Sequence, residues 1–189
     1  QAFEQADVDT IIVNAAGCGA KLKEYGSLLR NDPEFSSRAH VFSQKVLDIS
    51  EFLEALPTLS PLGPLEVSVA YDDPCHLLHA QKVGQAPRNL LKRIPGLKLV
   101  ELKTPDQCCG SAGIYNITQY DLSMRILERK VQDIRDCDPS ILATGNAGCL
   151  LQISYGLQTA DLGKIQVLHP IEILDQAYQT STEVPLDPS

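Results

Sequence analysis

A chain of 189 residues, 43% of them hydrophobic, is long enough to bury one ordinary core or two small ones, which sets disorder aside. Its 16 basic and 24 acidic residues give a net charge of −8, and no lysine or arginine cluster interleaves with aromatics, which excludes a nucleic-acid surface. No apolar run reaches the length of an integral membrane segment, and the stretch from Gln1 to Asp7 lacks the basic and apolar regions of a signal peptide, so a cytoplasmic protein is expected.

The chain starts without methionine and enters the β-branched run Ile11-Ile12-Val13 almost at once, as a fragment of a longer protein would. That run reads as a strand, broken at Asn14-Ala15-Ala16-Gly17-Cys18-Gly19 before a helix over Ala20 to Leu29. A second helix is expected from Phe42 to Leu56, where Val46, Ile49, Leu53 and Leu56 recur at helical spacing. Pro57, Pro61, Gly63 and Pro64 then mark a linker, because proline neither continues a helix nor donates to a ladder.

Beyond the linker, Val67 to Tyr71 reads as a strand ending at Asp72-Asp73-Pro74-Cys75, with a helix from Pro87 to Arg93 and a strand from Leu97 to Leu102 leading to Cys108-Cys109-Gly110. From Gln119 to Arg135, Leu122, Ile126, Leu127, Val131 and Ile134 share one helical face, with Arg125, Glu128, Arg129 and Asp133 largely elsewhere. Ile141 to Thr144 is a strand, Gly145-Asn146-Ala147-Gly148-Cys149 a turn, and a helix follows to Tyr155. Ile165 to Leu168 is a last strand before a helix starting near Pro170. Strands alternating with helices imply an α/β fold with mostly parallel sheets flanked by helices. In such sheets the loops beyond the carboxyl ends of the strands form the binding crevice, and Cys18, Cys75, Cys108, Cys109 and Cys149 all fall in such loops.

The two halves resemble each other. Gly17-Cys18 matches Gly148-Cys149, each after a strand and a nearby asparagine, and the segment Val46 to Leu53 aligns with Val167 to Leu174 at Val, Leu, Glu and Leu. Two related repeats are therefore expected: residues 1–56 as the end of a first, 57–65 as linker, 66–180 as a complete second, and 181–189 as tail. The span from Cys75 to Cys149 does not fit in front of Cys18, so the first repeat is expected to be truncated.

In a reducing compartment, six cysteines point to thiol chemistry or metal rather than to disulfides, and the adjacent pair Cys108-Cys109 could not bridge without strain. Helix N-termini favour thiolate, the metal-binding form. Gly110, Gly113 and Gly148 let backbone approach a bulky cofactor and offer it N–H groups. Four thiolates from Cys75, Cys108, Cys109 and Cys149 suit zinc or an iron-sulfur centre. The lack of Cys-x-x-Cys pairs puts zinc second, and a packed-cysteine core or a redox-active thiol pair remain open. Cys137 reads as incidental, Cys18 as a free thiol, His76 and His79 as structural beside Cys75, Asp72 and Asp73 as helix caps, and Asn146 as a turn residue tolerant of left-handed backbone. No nucleotide-binding fingerprint and no nucleophile-and-base arrangement appears.

Pro74-Cys75-His76-Leu77, Cys108-Cys109-Gly110-Ser111-Ala112-Gly113 and Gly145-Asn146-Ala147-Gly148-Cys149 resemble the cysteine-rich CCG domain. That domain, usually present twice per chain, occurs in heterodisulfide reductases, anaerobic glycerol-3-phosphate dehydrogenases, lactate-utilisation proteins and the glycolate oxidase iron-sulfur subunit. The resemblance runs from about residue 9 to residue 178, and Asp73-Pro74-Cys75, Ile114-Tyr115-Asn116 and Ile171-Glu172-Ile173-Leu174 are similar to the last of these. It implies a metal centre on Cys75, Cys108, Cys109 and Cys149, with Cys18 a ligand of the truncated first repeat only. It implies an iron-sulfur cluster of the 4Fe-4S kind, with zinc as the alternative. It further implies an electron-transfer role beside a flavin-bearing glycolate oxidase subunit, delivery to a quinone or other acceptor, and peripheral placement on the inner face of the membrane. The fragment alone is expected not to be catalytic, and the rival readings are a zinc-stabilised interaction module or an electron-transfer subunit of the heterodisulfide-reductase or lactate-utilisation kind. One departure stands out. Heterodisulfide reductase relatives close with Cys-x-x-Cys, whereas here the first of those positions is Asn146, which puts a five-thiolate cluster in doubt.

Overall fold

The computed structural model describes residues 2–182, so the expected tail beyond Thr182 lies outside the described residues. After a short helix α1 (Ala2–Gln5), strand β1 (Ile11–Val13) leads into α2 (Ala16–Lys23), α3 (Tyr25–Leu28) and α4 (Ser36–Lys45), then β2 (Val46–Asp48) and α5 (Ile49–Ala55). The second half runs β3 (Ser68–Tyr71), a π-helical turn (His76–Ala80), α6 (Ala86–Leu91), β4 (Lys98–Val100), α7 (Tyr115–Thr118), α8 (Tyr120–Cys137), β5 (Ile141–Ala143), α9 (Ala147–Thr159), β6 (Gln166–Leu168) and α10 (Pro170–Thr182). β1 and β2 form a two-stranded parallel sheet, and the second half forms a four-stranded parallel sheet in the order β4-β3-β5-β6. This is the α/β architecture expected.

Several expected elements are corrected. The helix from Ala20 to Leu29 is two, α2 and α3, and α2 starts at Ala16, so Gly17, Cys18 and Gly19 lie in its first turns rather than in a break; likewise Gly148 and Cys149 lie in the first turn of α9. The helix from Phe42 to Leu56 is interrupted, because Val46, Leu47 and Asp48 pair with Ile11, Ile12 and Val13 as strand β2. Asp48 then starts α5 with a capping box: its carboxylate accepts from Ser50 N at 2.9 Å, and Glu51 accepts from Asp48 N at 2.9 Å. The alignment of Val46 with Val167 already carried the signal, since Val167 lies in a strand. His169 starts α10 in the same way, with Glu172 accepting from His169 N at 2.7 Å and His169 Nδ1 from Ile171 N at 3.2 Å. This shared local geometry is consistent with two related halves.

The central strands β3 and β5 are buried on both faces, as parallel strands covered by helices must be. Their alternation divides the core. Ala70 and Leu142 face Leu127, Val131 and Ile134 of α8 and Ile153 and Leu157 of α9, whereas Val69, Tyr71, Ile141 and Ala143 face Leu90 and Leu91 of α6 and Ile173, Leu174 and Ala177 of α10. Helix α8 ends where Asp138 adopts left-handed backbone (φ 44°) ahead of Pro139.

The proline-rich segment 57–65 has no regular structure, yet it packs. Leu59, Leu62 and Leu65 lie against the α6–α10 core, and Gly63 N donates to Ala177 O at 2.7 Å. Ala16 of α2 clusters with Leu77, Val83 and Ala86, which seats the first half on the second. Ala16 N also donates to Gly145 O at 3.1 Å, and Gln81 Nε2 to Ala16 O at 2.9 Å.

Candidate metal centre

At the carboxyl ends of β1, β3, β4 and β5, the segments that follow, among them the first turns of α2 and α9, line a cavity of about 600 Å³. Its walls are Gly17 and Cys18 after β1, Cys75 and His76 after β3, Cys108 to Gly113 without Gly110 after β4, and Asn146 to Cys149 after β5. Cys75, Cys108, Cys109 and Cys149 thus meet, although more than seventy residues separate the outer two. Cys18 shares their cavity, so the first half contributes a wall to it. Cys137 does not: its Sγ lies 3.7 Å from Glu101 O, against the α8–α9 core.

Cys109 and Cys149 are 3% and 5% exposed, with their sulfurs 3.3 Å apart. Cys75 bonds Cys108, and Cys108 bonds Cys109, so hydrogen bonds link the four sulfurs in succession, from Cys75 through Cys108 and Cys109 to Cys149. Among the described residues, no three His, Cys, Asp or Glu side chains close on one point as a lone metal ion requires. N–H groups serve the sulfurs: Gly110 N donates to Cys108 Sγ at 3.3 Å, Asn146 Nδ2 to Cys149 Sγ at 3.5 Å, and Ser111 N to Cys109. Donors of this kind stabilise thiolate and cluster sulfur.

The four thiols differ in acidity. Cys108 is held at about 2, far below the usual thiol range, by hydrogen bonds from the Cys109 and Cys75 thiols, aided by Gly110 N–H and the Lys130 charge. Cys149 is lowered too, first by the Cys109 thiol and then by the Asn146 amide, against its burial. Cys109, which donates to both thiolates, is pushed up, and so is Cys75, which donates to Cys108. Binding metal at the sulfurs as thiolates displaces the protons they hold.

The glycines divide. Gly113 and Gly148 line the cavity, whereas Gly110 does not. Gly110 has φ +89°, and a Cβ there would lie 2.5 Å from Ser123 O, so the position serves the close approach of the loop to α8. Ser123 Oγ in turn donates to Gly110 O at 2.8 Å and accepts from Gln152 Nε2 at 3.0 Å, bracing the cysteine pair from behind with α8 and α9.

Three sequence readings change. Asn146 is extended (φ −144°) rather than left-handed, and its amide joins the halves, because Oδ1 accepts from Gly17 N at 3.1 Å while Nδ2 serves Cys149. Asp72 and Asp73 do not cap a helix. Asp73 is gripped by both guanidinium nitrogens of buried Arg88 at 2.6 and 2.8 Å, with Arg88 over the Tyr71 ring. Asp72 pairs with Lys130 Nζ at 2.8 Å and accepts from Thr144 Oγ1 at 2.9 Å. Sequence reasoning missed Lys130 altogether; only its place on the apolar side of α8, one residue before Val131, hinted at burial. His76 keeps its place by the site, with Nδ1 3.5 Å from Cys75 Sγ, while His79 is exposed and outside the cavity. The turn His76–Ala80 is π-helical, closed by Gln81 N to His76 O at 3.1 Å, an irregularity frequent at functional sites.

A family model described as a cysteine-rich domain (CCG) matches residues 69–154, the span that carries Cys75, Cys108, Cys109 and Cys149. The chain is 43% identical over 179 residues to the "Probable glycolate oxidase iron-sulfur subunit" of Bacillus subtilis (strain 168), covering 93% of this chain and 40% of the relative. It is 34% identical over 177 residues to the "Glycolate oxidase iron-sulfur subunit" of Escherichia coli (strain K12), covering 93% and 41%. With the "Lactate utilization protein A" of Geobacillus kaustophilus (strain HTA426) the identity is 32% over 172 residues, covering 90% of this chain and 71% of the relative. The chain thus spans about two fifths of the length of the glycolate oxidase subunits it matches.

Proposed function

The chain belongs to the cysteine-rich CCG-domain family, and from that premise we propose that it is the electron-transfer part of a flavin-dependent oxidoreductase acting on a 2-hydroxy acid, glycolate first among them. The observation that carries the reading is the meeting of Cys75, Cys108, Cys109 and Cys149 from three separate segments in one cavity, each sulfur served by a hydrogen bond. A cavity of about 600 Å³ lined by four cysteines has more room than one tetrahedral zinc needs and suits a multi-iron centre.

In this reading the four cysteines, as thiolates, would hold a 4Fe-4S cluster. When bound, such a centre supplies the one-electron redox chemistry that thiols and carboxylates lack. The chain's own contribution is to fix the sulfurs, direct Gly110, Ser111 and Asn146 N–H groups at them, and limit water around Cys109 and Cys149. Gly113 and Gly148 leave room on the cavity wall. Glycolate is oxidised on a flavin-bearing partner subunit, and electrons leave towards a quinone or comparable acceptor. Among the described residues no helix is long and apolar enough to cross a membrane. A cytoplasmic protein meeting the inner membrane face peripherally accords with that role. Residues 1–56 and 66–180 are read as the end of a first CCG repeat and a complete second one, joined by 57–65, with Cys18 the first repeat's remaining ligand position.

Anaerobic reconstitution of the chain with iron and sulfide tests the reading. Near-stoichiometric iron and sulfide are expected, with a broad visible charge-transfer absorption that Cys108→Ser and Cys149→Ser abolish. Stoichiometric zinc after strictly anaerobic purification, or a spectrum indifferent to both substitutions, would overturn it.

A further inference from the structure

Lys130 is a charge in an unusual place. It stands on α8 with no exposed surface, on a helix that also buries Leu127, Val131, Ile134 and the Asp133 carboxylate, and an ammonium taken from water must be fully paired to be tolerated. Its partners are Asp72 Oδ1 at 2.8 Å, Thr104 O at 3.0 Å and Pro105 O at 3.2 Å. Each leads to a cysteine loop: Asp72 lies just before Cys75, Thr104 and Pro105 open the loop that carries Cys108 and Cys109, and Asp72 also holds Thr144, just before the loop of Cys149.

The pair stands between the segments that carry the sulfurs. A buried ammonium favours added negative charge on a centre held by those loops, and a buried carboxylate opposes it. In a water-poor interior such influences are weakly screened. Neither residue touches a sulfur, so both act at a distance.

We infer that Lys130 and Asp72 set the reduction potential of the centre held by the four cysteines, with the buried ammonium raising it and the buried carboxylate lowering it. The inference rests on the iron-sulfur reading above. On reduction one electron passes from an external reductant to the centre, whose charge falls by one; no covalent bond forms or breaks, and the two side chains keep their charges. Lys130 and Asp72 are positioning residues in this scheme, and neither is a ligand.

The test is a dithionite titration with redox mediators on the reconstituted 189-residue chain, alongside iron and sulfide analysis and far-ultraviolet circular dichroism. Asp72→Asn, which keeps the shape of the side chain, is expected to raise the midpoint potential, Lys130→Met to lower it, and Lys130→Arg to leave it near the wild-type value, all at unchanged iron content. A purely structural role would move the first two in the same direction through loosened loops, and that result, or no shift in either, overturns the inference. Should Lys130→Met fail to fold, Asp72→Asn and Lys130→Arg still decide it, the former by its upward shift and the latter by its retention of the wild-type value. A wild-type chain that takes up no iron overturns the iron-sulfur reading itself, whereas loaded proteins with wrongly signed shifts overturn this inference alone.

Discussion

The two halves of the molecule use one local design to different ends. In both, a short strand runs into a helix whose first turn carries Gly-Cys, and a parallel neighbour leads to a residue that caps the next helix through a glutamate placed three further on. The second half surrounds that unit with β3, β4 and their loops, and so gathers sulfurs around Cys149. The first half has only β1 and β2, and Cys18 meets no sulfur of its own half. The turn and the helix start are thus not what makes a site; the additional loops are.

Substitution of cysteine in each half breaks the comparison most sharply. Cys149→Ser is expected to abolish iron and sulfide uptake, while Cys18→Ser, at the matching position, keeps most of the visible absorption of the reconstituted chain. Equal loss in both would show that the halves contribute equally to the centre.

Next in size come the ion pairs. Arg88→Met strands the buried Asp73 carboxylate, which should cost about 3–5 kcal/mol by urea denaturation. Lys23→Met removes the Lys23–Glu51 pair of the first half, whose side chains are 22% and 28% exposed, and should cost no more than ~1 kcal/mol. If both cost alike, burial does not distinguish the halves.

The matched glycines give a smaller contrast. A Cβ at Gly148 would lie 2.8 Å from Ser111 Oγ, a group able to rotate, so Gly148→Ala should cost about 1–2 kcal/mol and weaken iron uptake. At Gly17 the nearest atom is Asn146 Oδ1 at 3.5 Å, and Gly17→Ala should stay within roughly 0.5 kcal/mol of wild type.

The smallest effect is the pH response of the two capping residues, which are expected to titrate in opposite senses. Burial lowers His169 below its usual value of 6.5, so the stability it confers is present above 6.5 and lost as pH falls through its folded value. Burial raises Asp48 above its usual 3.8, so its contribution is present below 3.8 and lost as pH rises through its folded value. Thermal denaturation at a series of pH values should show His169→Asn flattening the first slope and Asp48→Asn the second.

Much of this was legible in the chain. Strand and helix order in the second half followed from apolar periodicity and from Gly and Pro punctuation, and the cysteine loops lie where the crevice rule for parallel sheets puts them. β2 escaped notice because Val46 continues the helical spacing of Ile49 and Leu53; strand pairing with residues far back in the chain overrode that pattern. The roles of Asp72 and Lys130 were invisible for a related reason, since their partners lie 58 positions apart in the sequence and no local pattern marks a buried pair. Asn146 misled because left-handed turns are the common fate of such residues, and here a second polypeptide segment claims its side chain.

That claim on Asn146 bears on how the cavity could be transplanted. Gly17 N–H holds the same amide that serves Cys149, and Ala16 is tied to both Gly145 and Gln81. A graft of residues 66–180 onto another scaffold would leave those donors and acceptors facing solvent and the cavity short of one wall. The smallest portable unit carries the segment from Ile11 to Lys23 with it, docked rather than merely tethered.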